Sequence, residues 1–256
     1  MTSSKNYVLH LAMPWLVIIF VLVAWEAAVF LFKVPSFIMP SPMAIVQAFG
    51  EYQSIILHHA TLTMTNTMIG FALGVIVGLV LGILIGTMPL VYSGLYPVLI
   101  GFNSVPKVAL VPIIVLWLGI GQPTAIATAF VLCFFPIAVN VATGLSTVEP
   151  EVEDVLRSLG ASKLDLIRKI GLPRAMPYFF ASLKISITLA FVGTVIAETI
   201  ASNDGIGYLM MQASSQFRVP LMFAGVAVIA ALGIITYVIF ALIERRMTKW
   251  AVRGKH

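Results

Sequence analysis

Residues 61–88 read TLTMTNTMIGFALGVIVGLVLGILIGTM, with no charge and with glycine at Gly70, Gly74, Gly78, Gly82 and Gly86. An apolar stretch of this length crosses the roughly 30 Å hydrocarbon core of a bilayer as a helix. The four-residue spacing puts all five glycines on one helix face, where another backbone can come close. Glycine costs a helix about 1 kcal/mol per residue, so five in one helix imply a packing reason. The spacing leaves open whether the partner is in the same chain or in a second copy.

The rest of the chain has the same character. Of its 256 residues 60% are hydrophobic and only 10% charged, against about 25% charged in an ordinary soluble domain; the mean hydropathy is +1.05. The composition therefore excludes a soluble fold and predicts an all-α integral membrane protein with about six transmembrane helices, near 11–32, 61–88, 96–118, 124–142, 178–200 and 220–243. The first run is too long for a signal-peptide core and lacks a small-x-small cleavage site, so it reads as a retained span. Glu26 is its only charge and reads as an interfacial or interhelical polar group. Pro40-Ser41-Pro42 reads as a turn and a helix start, with Ser41 as N-cap and Pro42 at the first helical position. An amphipathic surface helix is expected to follow to about 56. The single cysteine, Cys133, lies in an apolar run and reads as packing.

The third span is the irregular one. It contains Pro97, Pro106 and Pro112 beside Asn103, Ser104 and Lys107. A broken helix at membrane depth is tolerated inside protein or against a water-filled cavity, which makes Asn103, Ser104 and Lys107 candidates for lining a pathway, with Glu198 near its outer mouth. Lys107 has two readings: an intramembrane functional charge, favouring an anion, or a snorkelling or structurally paired lysine. His58 and His59 are adjacent, point to different faces, and read as interfacial. Asn203, Asp204, Gly205 and Gly207 read as a tight turn.

Residues 147–177 hold the largest charged loop, including Glu149, Glu151, Glu153, Asp154, Arg157, Lys163, Asp165, Arg168, Lys169 and Arg174. Apolar residues recur at helical spacing on both sides of Gly160: Val152, Val155, Leu156 and Leu159, then Leu164, Ile167 and Ile170. Ser162 can cap the second piece, so the loop reads as a helix–turn–helix with an apolar face. Cations collect in this loop and around Arg245, Arg246, Lys249, Arg253 and Lys255, while Lys33 and Arg218 fall in the alternate connections. The positive-inside rule then puts both termini and the loop in the cytoplasm.

The loop also carries a resemblance. Asp154-Val155-Leu156, then Gly160, then Ile170-Gly171-Leu172-Pro173 resembles the EAA motif of ABC importer permeases, E-A-A, three residues, G, nine residues, I-x-L-P. Gly160 and the Ile170, Leu172 and Pro173 positions match in identity and spacing. Asp stands for Glu, and Val-Leu for Ala-Ala. Leu159, Ala161 and Ser162 around the glycine are also typical. The similarity runs from Pro40 to the basic tail and is greatest to the nitrate, sulfonate, taurine and bicarbonate subfamily, with thiamine-precursor and riboflavin permeases nearby.

The resemblance implies a type I ABC importer permease fold, with 1–256 as one transmembrane domain and 147–177 as its coupling loop. It implies a pore of two permease chains, commonly a homodimer, in the bacterial inner membrane. Two ATPase subunits would bind ATP and Mg, and a periplasmic or lipid-anchored binding protein would deliver a small solute. This chain would be a transport subunit with no catalytic site, cofactor or metal of its own, and it carries no G-x-x-x-x-G-K-[ST] phosphate loop. Its partners would be these proteins and membrane lipid, with no nucleic acid. The alternatives are a secondary transporter or channel, which needs carboxylates at mid-membrane depth, and an intramembrane enzyme, which needs a nucleophile–base pair.

Overall fold

The glycine stripe meets its partner inside the chain. In the computed structural model, which describes residues 2–147 and 150–250, the helices are α1 (Thr2–Leu31), α2 (Pro42–Glu51), α3 (Gln53–Thr87), α4 (Pro89–Ser104), α5 (Val111–Leu118), α6 (Gln122–Ser146), α7 (Pro150–Ser158), α8 (Lys163–Leu166), α9 (Leu172–Ala201), α10 (Ile206–Ser215) and α11 (Val219–Met247). Among the described residues there is no strand. Glu149, Arg253 and Lys255, and the side chains of Lys5, Glu153 and Lys163, lie outside the description.

Five helices are long and apolar enough to cross a bilayer: α1, α3, α6, the run Leu164–Ala201 and α11. Pro89–Ser104 and Lys107–Leu118 pass the same test together and are bent by 89° at their junction. Counted as one broken span, they make six. The chain divides into two compact units, one of residues up to 58 with 209–228, the other of 59–208 with the residues from 229 on.

In the first unit, the N-terminus of α2 is held from two sides. Ser41 accepts the Ala44 N–H at 3.3 Å, and Glu26 on α1 accepts the Met43 N–H at 3.0 Å. Glu26 is thus an interhelical cap. The surface helix stops earlier than expected. Its C-cap is Tyr52 (φ −105, ψ 19), just after Gly50, a poor helix former. α3 then starts at Gln53, eight residues before the apolar run begins at Thr61. Its first two turns, QSIILHHA, mix polar and apolar residues and extend the span at one end.

The second unit is organised around α6. A Cβ on Gly70 would lie 2.5 Å from Ala129 Cβ, one on Gly78 2.7 Å from Phe134 O, one on Gly82 2.6 Å from Val141 Cβ, and one on Gly86 2.8 Å from Leu145 Cβ. Gly74 faces Cys133, which is buried and packs as expected. α9 covers α6 elsewhere, again through small residues: a Cβ on Gly193 would lie 2.9 Å from Thr128 O, and Gly144 of α6 lies against Ala175. Ala129, Cys133, Ile137, Val141, Ala190 and Ile187 form the centre of this core. Lys184 of α9 pairs with Glu244 of α11 at 2.5 Å.

Candidate functional site

The loop that precedes α9 is built from local rules. α7 ends in a pair of backbone bonds, Gly160 N–H to Arg157 O and Ala161 N–H to Leu156 O, both 3.0 Å. This double closure needs a left-handed residue between helix and exit, and Gly160 has φ +84. A Cβ there would meet nothing within 4 Å, so the backbone angle and not space selects glycine. Two residues on, Ser162 Oγ accepts the Asp165 N–H at 3.2 Å while Asp165 accepts the Ser162 N–H at 3.2 Å. This reciprocal capping starts α8. Lys169 adds an ion pair to Asp165 at 3.1 Å.

α8 then runs through a π-helical turn, Ile167–Gly171, into α9. The Leu172 N–H reaches five residues back, to Ile167 O. Pro173 follows and has no N–H to give to a regular ladder. So the second helix of the loop and the fifth span are continuous, and α9 begins at Leu172, not near 178. Arg174 donates to Thr147 O at 3.1 Å and ties the start of α9 to the end of α6.

The apolar face of the loop is divided. Leu166 is buried, and Leu156, Ile167 and Ile170 are half-buried. Val155, Leu159 and Leu164 are 58%, 76% and 72% exposed. A shallow groove of about 410 Å³ lies beside them, lined by Glu151, Val152, Val155, Leu156 and Ile170. Asp154 and Ser162 are exposed, Ala161 and Pro173 half-buried. The result is a stiff, capped projection with uncovered leucines.

The broken span brings Asn103, Ser104 and Lys107 together. Lys107 Nζ donates to Asn103 Oδ1 at 2.6 Å and to Asn103 O at 3.2 Å, so it closes the C-terminus of α4 as a cation. It also lies 6.0 Å from the centre of the Phe135 ring. Ser104 donates to Ile100 O at 3.1 Å. Asn103 and Ser104 are exposed and Lys107 half-buried. The pairing expected as one reading of Lys107 is present, and the group lies on an uncovered face of the chain.

Glu198 is elsewhere. It is 1% exposed, inside the second unit, and its partners are not Asn103, Ser104 or Lys107. Its Oε2 accepts the Thr63 hydroxyl at 2.8 Å and the Gly207 N–H at 3.2 Å. Thr63 Oγ1 in turn accepts the Ile206 N–H at 2.8 Å. His59 Nδ1 accepts the Gly205 N–H at 3.0 Å, so the half-buried His59 holds a turn. Thr67 and Thr194 bond at 2.9 Å one helical turn deeper. The stretch 201–219, read as a loop, also contains α10. Sequence reasoning passed over Thr63 and gave His59 no partner. Their one signal is the i, i+4 spacing of His59, Thr63 and Thr67, which puts three polar groups on one face of an apolar helix.

Six candidate crossings, one of them broken, with a charged helix–turn–helix running into a span, define a polytopic membrane protein. Residues 74–249 match the family described as "Binding-protein-dependent transport system inner membrane component", and the chain belongs to that family. It is 33% identical to the riboflavin transport system permease protein RibX of Chloroflexus aurantiacus over 231 residues, 90% of this chain and 86% of that protein. It is 30% identical to the formylaminopyrimidine transport permease protein ThiX of Halalkalibacterium halodurans over 238 residues, 93% and 95% of the two. The taurine transport system permease protein TauC of Escherichia coli is 26% identical over 236 residues, 90% and 86%. Among solved structures, a chain of the MetNI methionine ABC transporter in an inward facing conformation superposes with a TM-score of 0.67 at 19% identity, covering 77% of this chain and 98% of that one. That likeness speaks to the fold. The chain is thus a permease subunit of a binding-protein-dependent ABC importer.

Proposed function

We propose that this permease docks a pair of separate ATPase subunits through its loop, with Asp154, Val155, Leu156, Leu159, Gly160, Ala161, Ser162, Ile170, Leu172 and Pro173 forming the coupling element. The observation that carries the reading is the capped, rigid helix–turn–helix with Val155, Leu159 and Leu164 uncovered at its tip. Exposed apolar side chains on a water-facing loop mark a partner surface. ATP and Mg belong to the ATPases, and this chain supplies neither catalytic group nor cofactor site.

In this reading two copies form the pore as a homodimer in the bacterial inner membrane, with both termini and the loop in the cytoplasm. A periplasmic or lipid-anchored binding protein delivers a small solute from the other side. The substrate class is a small organic or inorganic anion, such as a sulfonate, taurine or nitrate, or a vitamin precursor; relatives named for riboflavin, formylaminopyrimidine and taurine support this range. Asn103, Ser104 and Lys107 line the pathway at the broken span. Lys107→Ala then lowers uptake while the ATPase stays bound.

Co-purification in a mild detergent with candidate ATPase subunits tests the reading. The wild-type chain retains an ATPase, and Gly160→Glu releases it while the spans stay inserted. A Gly160→Glu chain that still holds a normally active ATPase removes the loop from the docking role. A folded wild-type chain that binds none turns attention to the secondary-transporter alternative.

A further inference from the structure

We infer that Glu198 is a positioning residue: its buried carboxylate fastens the turn 202–208 to α3, so that this turn and the far end of α9 are carried as one body. The fastening stands on geometry alone; its use in transport rests on the importer reading above.

A carboxylate inside an apolar bundle is a costly way to fill space. Here one oxygen, Oε2, joins three segments, taking the Thr63 hydroxyl of α3 and the Gly207 N–H of the turn while belonging to α9. The buried Asn66 side chain of α3 also interacts with the carboxyl group, while Oε1 makes no close hydrogen bond. What the residue contributes is connection.

The turn side is equally specific. The Gly205, Ile206 and Gly207 N–H groups are consecutive, and at the start of a helix such donors lack partners in their own chain segment. All three are taken by side chains of α3 and α9, His59, Thr63 and Glu198 respectively. α10 therefore begins where α3 and α9 hold it. The fit leaves no slack. Gly205 has φ +96, and a Cβ on it would fall on the Glu198 carboxyl group. A Cβ on Gly207 would lie 2.6 Å from Val195 O and 2.8 Å from Glu198 Cβ. The Tyr208 ring lies 6.1 Å from that of His59. Only the tip, Asn203 and Asp204, is exposed.

α9 has 30 residues, so the fastening sits on the order of 45 Å from the loop at its other end. A displacement of that loop reaches Asn203 and Asp204 through α9 only if the turn is fixed to the bundle.

The test uses a reporter cysteine, Ile206→Cys, at a position fully buried while the turn is fastened, and a membrane-impermeant maleimide on the intact permease in a bilayer. The native Cys133 is buried and does not interfere. Thr63→Val, His59→Ala and Glu198→Ala raise the labelling rate on the order of tenfold by releasing the turn. Thr63→Ser and Glu198→Gln, which keep a hydroxyl and an acceptor oxygen, stay near the wild-type rate. Thr67→Val, an equally buried hydroxyl that touches no turn residue, also stays near it. Unchanged labelling in Thr63→Val and His59→Ala overturns the fastening even if Glu198→Ala does not fold, and an equal rise in Thr67→Val reduces it to general packing and overturns it too. With the ATPase bound, nucleotide shifts the labelling of the wild-type reporter, and Thr63→Val abolishes the shift while Thr63→Ser restores it; a shift that survives in Thr63→Val sinks the one-body motion. Failure of any ATPase to bind strikes the importer reading alone, because the first labelling series needs only the permease.

Discussion

At one end of α9, Gly160, Ser162 and Asp165 close their hydrogen bonds within a few residues and leave Val155, Leu159 and Leu164 in the open. At the other end, His59, Thr63 and Glu198 close over the N–H groups of 205–207 and leave two polar residues exposed. The first end is internally complete as backbone and incomplete as surface, which suits a part that another protein grips. The second is complete only through side chains, two of which, His59 and Thr63, arrive from α3, which suits a part that the chain itself must hold. A glycine serves both ends for different reasons, the backbone angle alone at Gly160 and the angle plus lack of room at Gly205.

Substitutions can break this contrast. The largest effect is expected at the buried end. Gly205→Ala combines left-handed strain with overpacking on the Glu198 carboxyl and destabilises the chain by about 3 kcal/mol; thermal unfolding in detergent measures it, and a shift no greater than that of Gly160→Ala erases the distinction. Gly160→Ala meets only the strain, about 1 kcal/mol, while Gly160→Asn, which tolerates the left-handed region, falls well below it. The same unfolding measurement, combined with ATPase retention, separates conformation from contact at that site. The smallest effect belongs to Ser162→Ala, about 1 kcal/mol or less and confined to the start of α8. Amide exchange should quicken in 163–171 without a change in the global transition, and a global shift would show that the loop is coupled to the bundle more tightly than its local bonding indicates.

The same contrast governs what could be read from the sequence. The loop was legible because its bonds connect residues three to five apart, Ser162 to Asp165 and Leu156 to Ala161, and such spacings are visible in a string of letters. The spans and their count were legible from apolar length. The Glu198 contacts were not, because Thr63, Ile206 and Gly205 meet partners 135, 143 and 146 positions away. Without those partners Glu198 read as a pathway residue beside Asn103, Ser104 and Lys107, and His59 had no assigned bond. Three prolines announced that the third span breaks, but an 89° bend is a tertiary quantity. The glycine spacing announced a close approach, and only the fold names α6 as the partner.

That last pairing has a consequence for how the chain is made. The stripe from Gly70 to Gly86 leaves the ribosome well before the α6 residues it packs on, Ala129 to Leu145. At about 5–20 residues per second the delay is a few seconds. For that interval the glycine face of α3 stands without its α6 partner, and a small-residue face of this kind accepts close approach by another helix. Prompt insertion of α6 therefore ends a period of vulnerability to misassembly, and slowed synthesis between residues 88 and 122 would prolong it.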